Sequence, residues 1–97
     1  MSLLQITCIT KPQQGGHEHI THAGNPAANW WLTVEQIIAR IDAKSQTFFV
    51  EDPRTGKRAY VGVVRPQGHA PYIRTYADGV WTDNLLSLVA CPWRAAA

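Results

Sequence analysis

The chain is short of charge. Asp, Glu, Lys and Arg make up 16% of its 97 residues, against about a quarter in an average globular protein. Hydrophobic residues reach 45%, and that combination excludes a disordered chain, which needs high charge and little apolar content. Nine basic and seven acidic side chains leave a net charge of +2, too little to demand a polyanionic partner. Seven glycines and six prolines are an ordinary share, which excludes collagen-like and linker-like classes. No apolar run nears the roughly 18 residues of a membrane span, so no membrane role is expected. Met1-Ser2-Leu3-Leu4-Gln5 has neither a basic start nor a long apolar stretch, and no secretory signal is read there. Also missing are G-x-S-x-G, a P-loop and G-x-G-x-x-G. A domain this small has little room for both a core and a deep pocket. An enzyme is not expected, and no cofactor is called for.

Cysteine is scarce too. Cys8 and Cys91 are far apart and form no C-x-x-C pair. Without an export signal the default is two reduced thiols in a cytoplasmic protein, with a disulfide joining the two ends as the alternative. Cys8 lies in an apolar run; Cys91, before Pro92, is the more accessible.

Leu3–Thr10 alternates as a strand does, and Lys11-Pro12 ends it. Gln13-Gln14-Gly15-Gly16 reads as a turn, and His17–Ala23 as the returning strand of a hairpin. Thr33 and Gln36 form a capping-box pattern, and Val34, Ile37, Ile38 and Ile41 make one apolar stripe, so a helix is expected from about Val34 to Lys44. Thr47–Glu51, Arg58–Val64 and Tyr72–Tyr76 read as strands, separated by a turn at Asp52-Pro53-Arg54-Thr55-Gly56 and a loop from Pro66 to Pro71. Trp81–Val89 fits either a short strand or a helical turn. Residues 1–97 are read as one α+β domain with frayed ends at 1–3 and 94–97. Its expected core is a curved, mainly antiparallel five-stranded sheet, β-β-α-β-β-β, with the helix on one face.

One string is distinctive: Tyr72-Ile73-Arg74-Thr75, Asp78-Gly79, Asp83-Asn84-Leu85-Leu86-x-Leu88, then Cys91-Pro92. With Ile6-Thr7-Cys8-Ile9 and Ile20-Thr21-His22-x-Gly24, it resembles a family of small bacterial proteins catalogued as domain of unknown function 3892. The resemblance runs from about Ile6 to Pro92. Members tend to carry Pro where this chain has Val89. The likeness implies a bacterial source and supplies no activity.

Three groups of residues could carry chemistry. His17, His19 and His22 crowd one segment; on a strand His17 and His19 would share a face and could chelate a metal given a third ligand. The plainer alternative is a polar, exposed hairpin arm. Asp78, Asp83 and Asn84 read as turn and cap residues. The sheet's outer face is the third group. Pairing Phe49 near Ala59 and Val63 near Ile73 turns Phe48, Val50, Arg58, Tyr60, Tyr72, Arg74 and Tyr76 outward. Tyrosines between arginines suit a contact surface, with a protein partner or a second copy expected first. Single-stranded nucleic acid stacked on the same rings is the alternative, and metal binding by the histidines is a third. Packing of that face beneath the chain's own tryptophans is the bland reading.

Overall fold

The computed structural model describes residues 2–12 and 14–93. The alternating N-terminal segment is two strands, β1 (Ser2–Gln5) and β2 (Cys8–Thr10). The chain changes sheets between them: the Ile6 N–H donates to the Phe49 carbonyl at 2.8 Å and the Thr7 N–H to the Gly24 carbonyl at 2.9 Å. Consecutive amides thus serve different sheets, and Ile6 and Ile9 are both buried in the core, although strict alternation separates them.

A 3-10 turn (His17–His19) stands where the returning strand was expected to begin, and β3 spans only His22–Asn25. A second 3-10 turn (Pro26–Ala28) and Asn29, in the left-handed conformation at φ 60°, reverse the chain into β4 (Trp30–Thr33). The sequence reads Asn29–Leu32 only as the approach to the helix. Gly24 is what lets β4 lie so close, because a Cβ there would stand 2.5 Å from the Trp30 carbonyl oxygen.

Helix α1 (Val34–Asp42) starts as its capping box dictates. Thr33 Oγ1 accepts from the Gln36 N–H, and Gln36 Oε1 accepts from the Thr33 N–H. Val34, Ile37 and Ile38 are buried, with Ile41 packed beside them; each such burial contributes about 1.5–3 kcal/mol. Then follow β5 (Gln46–Glu51), β6 (Arg58–Val64), β7 (Tyr72–Ala77) and β8 (Val80–Thr82), a 3-10 turn (Asn84–Ser87) and β9 (Val89–Ala90). The undecided Trp81–Val89 stretch therefore holds both strand and helical turn.

The strands form two sheets, ordered β1-β5-β6-β7-β8 and β4-β3-β2-β9. Pairing is antiparallel except for β1 on β5 and β9 on β2. The expected α+β class, with a mainly antiparallel five-stranded sheet and one helix, is what the chain adopts. The N-terminal hairpin, however, builds a second sheet, and β1 takes the edge of the first. Ser2 and Leu3, expected to fray, are held there opposite Gln46 and Thr47. The expected fraying of Met1 and of 94–97, and Gln13 in its turn, lie outside the described residues. Among the described residues, no helix is long and apolar enough to cross a membrane.

The reduced-thiol expectation is overturned. Cys8 and Cys91 are joined in a disulfide. Parallel pairing of β9 on β2 brings their Cα atoms to 4.8 Å, inside the range a disulfide needs.

Candidate binding face

Register decides which side chains look outward. Val50 pairs with Ala59, and Phe49 with Tyr60, one residue from the pairing expected of the sequence. A slip of one residue exchanges the two faces of a strand. Phe48 and Val50 therefore point into the core, where Phe48 is fully buried against Trp30 at 5.8 Å between ring centroids. Phe49 replaces Phe48 on the outer face. The expected pairing of Val63 with Ile73 is present.

Successive pairings place Gln5, Phe49, Tyr60, Tyr76 and Trp81 in one row across all five strands. Strands lie about 4.8 Å apart, so the four rings span roughly 14 Å. Tyr60, Tyr76 and Trp81 are 37%, 42% and 44% exposed. Phe49 is covered by the Arg58 guanidinium, 4.4 Å above its ring. Tyr76 and Trp81 meet edge to face at 5.8 Å. Both lean over Gly62, where a Cβ would come within 3.2 Å of each ring. A glycine at this point lets the two rings lie down on the sheet. Two hollows flank Tyr76. One of about 410 Å³ is lined by Lys57, Arg58, Tyr60, Tyr76, Ala77 and Asp78; the other, about 260 Å³, by Tyr76, Gly79 and Trp81.

The tryptophans do not form a lid over this row. Trp30 packs against the core, and Trp31, on the second sheet, stacks on His22 at 4.0 Å and meets Trp93 in a tilted contact at 6.1 Å. Trp81 is part of the row itself, a contribution the sequence reading missed because it could not assign β8.

Tyr72 and Arg74 share the outward parity but are engaged elsewhere. Arg74 donates from Nε to the Thr82 carbonyl at 3.1 Å and from Nη2 to Asp83 Oδ1 at 2.9 Å. Tyr72 lies against the His17 ring at 6.5 Å. Arg58 also has an acidic neighbour, Glu51, at 4.0 Å. Of the cations nearest the rings, Arg58 and Arg74 thus have acidic neighbours, and Lys57 lines the larger hollow.

The histidines do not converge. His17, 7% exposed, leaves Nε2 without a hydrogen bond, 3.8 Å from Asp83 Oδ1. Burial pushes its pKa below the ordinary value and Arg74 adds to this, against Asp83 and Glu18. His19 Nδ1 accepts from the Gly16 N–H, and His22 stacks on Trp31. The 3-10 turn breaks the strand geometry that would have put His17 and His19 on one face. Among the described residues, no three His, Cys, Asp or Glu side chains gather as metal ligands would.

Fold and face together define a small two-sheet α+β protein with an open aromatic row. The family model for "Protein of unknown function (DUF3892)" matches residues 5–89, and the chain belongs to that family. No curated protein and no solved structure matches the chain.

Proposed function

We propose that this is a non-enzymatic binding module whose outer face on the first sheet meets another protein surface, a second copy of this chain. The observation that carries the reading is the row of Tyr60, Tyr76 and Trp81, each more than one-third exposed on the side of the sheet away from the core. Exposed aromatic patches of this kind mark contact surfaces, and Tyr, Trp and Arg anchor them.

Charge placement supports a second copy. Lys57 and Arg58 stand on the β6 side of the larger hollow and Asp78 on the β7 side. A two-fold axis along the strands, between β6 and β7, would stack Tyr60 on the partner's Tyr76. It would also bring each Lys57 towards an Asp78, while Arg58 keeps its place over Phe49. Such self-complementary contacts are how two-fold dimers form. The five strands run from three to seven residues; at about 3.3 Å per residue and about 4.8 Å between strands they offer about 400 Å² per copy. Twice that is still below the roughly 1,200 Å² of a stable interface. The association is therefore weak, with a Kd on the order of 0.1–1 mM.

Pairing of Arg74 with Asp83, and the position of Arg58 between Phe49 and Glu51, favour a protein partner over single-stranded nucleic acid, whose binding draws on free cations. Placement in the bacterial cytoplasm, expected from the sequence, would bring the open form of the Cys8–Cys91 bond. An oxidising compartment would preserve it.

Sedimentation equilibrium tests the proposal. The apparent mass should rise above 10.8 kDa as concentration approaches the millimolar range, and Trp81→Ala with Tyr76→Ala should hold it at the monomer value. A wild-type protein that stays monomeric throughout overturns the reading. If that monomer also binds a single-stranded oligonucleotide with steep salt dependence, the face belongs to nucleic acid.

A further inference from the structure

The Cys8–Cys91 bond fastens the last strand of the second sheet, and little else does. Strand β9 has two residues, Val89 and Ala90, both exposed, with Val89 at 71%. It pairs only with Cys8 and Ile9 of β2, and the Cys91 N–H donates to the Ile9 carbonyl at 3.0 Å. Beyond it, Trp93 rests near Trp31. Immediately before it the chain is anchored independently. Leu85 is fully buried, and the 3-10 turn around it is closed by the Leu88 N–H donating to the Leu85 carbonyl. The segment from Val89 to Trp93 is thus a short strap between a buried anchor at Leu85 and a covalent tie at Cys91. It also covers an edge: β9 is all that separates β2 from the margin of its sheet.

We propose that the Cys8–Cys91 disulfide is a redox latch, and that its reduction releases β9 and opens the edge of β2 while the rest of the fold stays intact. Cys8 is fully buried and Cys91 half-buried, so a dithiol reductant attacks the Cys91 sulfur. The reductant thiolate forms a mixed disulfide with Cys91, and the Cys8 sulfur leaves as a thiolate and takes up a proton. The reductant's second thiol then attacks its own sulfur in that mixed disulfide and becomes a closed disulfide. Cys91 leaves as a thiol. Two electrons and two protons pass to the protein, and the dithiol is oxidised. Once free, a two-residue strand gains too few hydrogen bonds to offset the ordering of its chain. The backbone groups of β2 that faced β9 then form an unpaired strand edge, open to pairing with an added strand.

The test is amide hydrogen exchange on the intact chain, before and after treatment with dithiothreitol, with thiols counted by alkylation. The Cys91 N–H reports on the strap. The Ile6 N–H, bonded to Phe49, and the Thr7 N–H, bonded to Gly24, report on the two sheets. Reduction should speed exchange at Cys91 by at least about 100-fold, leave Ile6 and Thr7 within about threefold, and be reversed by reoxidation. Cys91→Ser should show the open pattern without reductant. The proposal fails if all three amides accelerate together, because the bond is then a staple of the whole fold. It also fails if Cys91 is unmoved, or if the air-oxidised protein carries two free thiols. None of these outcomes depends on whether the aromatic face self-associates.

Discussion

Phe48 and Phe49 are adjacent, chemically identical, and assigned to opposite faces, so truncating each in turn tests the face assignment on which the proposed function stands. Phe48→Ala empties a fully buried site beside Trp30 and among Val50, Val61 and Ile73. Buried Phe→Ala changes cost about 3–5 kcal/mol, the range reflecting how far the surroundings collapse. Strand and sheet neighbours leave little room to collapse here, so the upper half of the range is expected. Phe49→Ala differs because the ring, although only 7% exposed, lies apart from the core cluster on the outer face, beneath the flexible Arg58 side chain. The loss comprises a cation–π contact of about 0.5–1 kcal/mol and part of one ring's burial. Arg58 can swing down to fill the space, so a cost of about 1–2 kcal/mol is expected. The assay is urea unfolding without reductant, reading the midpoint at constant slope. With a slope near 1 kcal/mol per molar for a domain this small, the two midpoints should differ by about 2 M or more. Equal midpoints, or a larger loss for Phe49→Ala, would refute the register and return Phe48 to the outer face.

His17 and Gly24 give two further tests. His17 is buried with its pKa below the ordinary value near 6.5; the unfolded chain therefore takes up the proton first, and stability should fall as pH drops from about 7 towards 5. His17→Phe, which keeps the ring beside Tyr72, should flatten that dependence in pH-resolved thermal melts, and an unchanged slope would remove His17 from the account. Gly24→Ala sets a Cβ against the Trp30 carbonyl and should cost about 2–4 kcal/mol in urea unfolding; a neutral result would mean that β4 does not lie so close.

The helix could be read because all its determinants are local. Thr33 and Gln36 form the capping box, and the stripe Val34–Ile41 has one period. The sheet's outer face could be read only in part. Tyr60 and Tyr76 were assignable from alternation along their own strands. The Phe48-Phe49 pair was not, because both residues are apolar and the choice rests on cross-strand register. Tyr72 and Arg74 carry the outward pattern, but long-range partners, His17 and Asp83, draw them away from the row. The break at Ile6-Thr7 was hidden because both halves alternate correctly while bonding to different sheets. The Cys8–Cys91 bond depends on parallel pairing between the first and last strands of the second sheet, which no local pattern encodes.

Nuclear magnetic resonance of the four indole N–H groups, followed from about 20 μM to 1 mM across the expected weak Kd, tests the open face most directly. The account predicts that the Trp81 signal shifts with concentration, while those of Trp30, packed against the core, and Trp31, bonded to Thr10, stay fixed. A Trp81 signal that holds still while those of Trp31 and Trp93 move would contradict it, placing the contact on the second sheet.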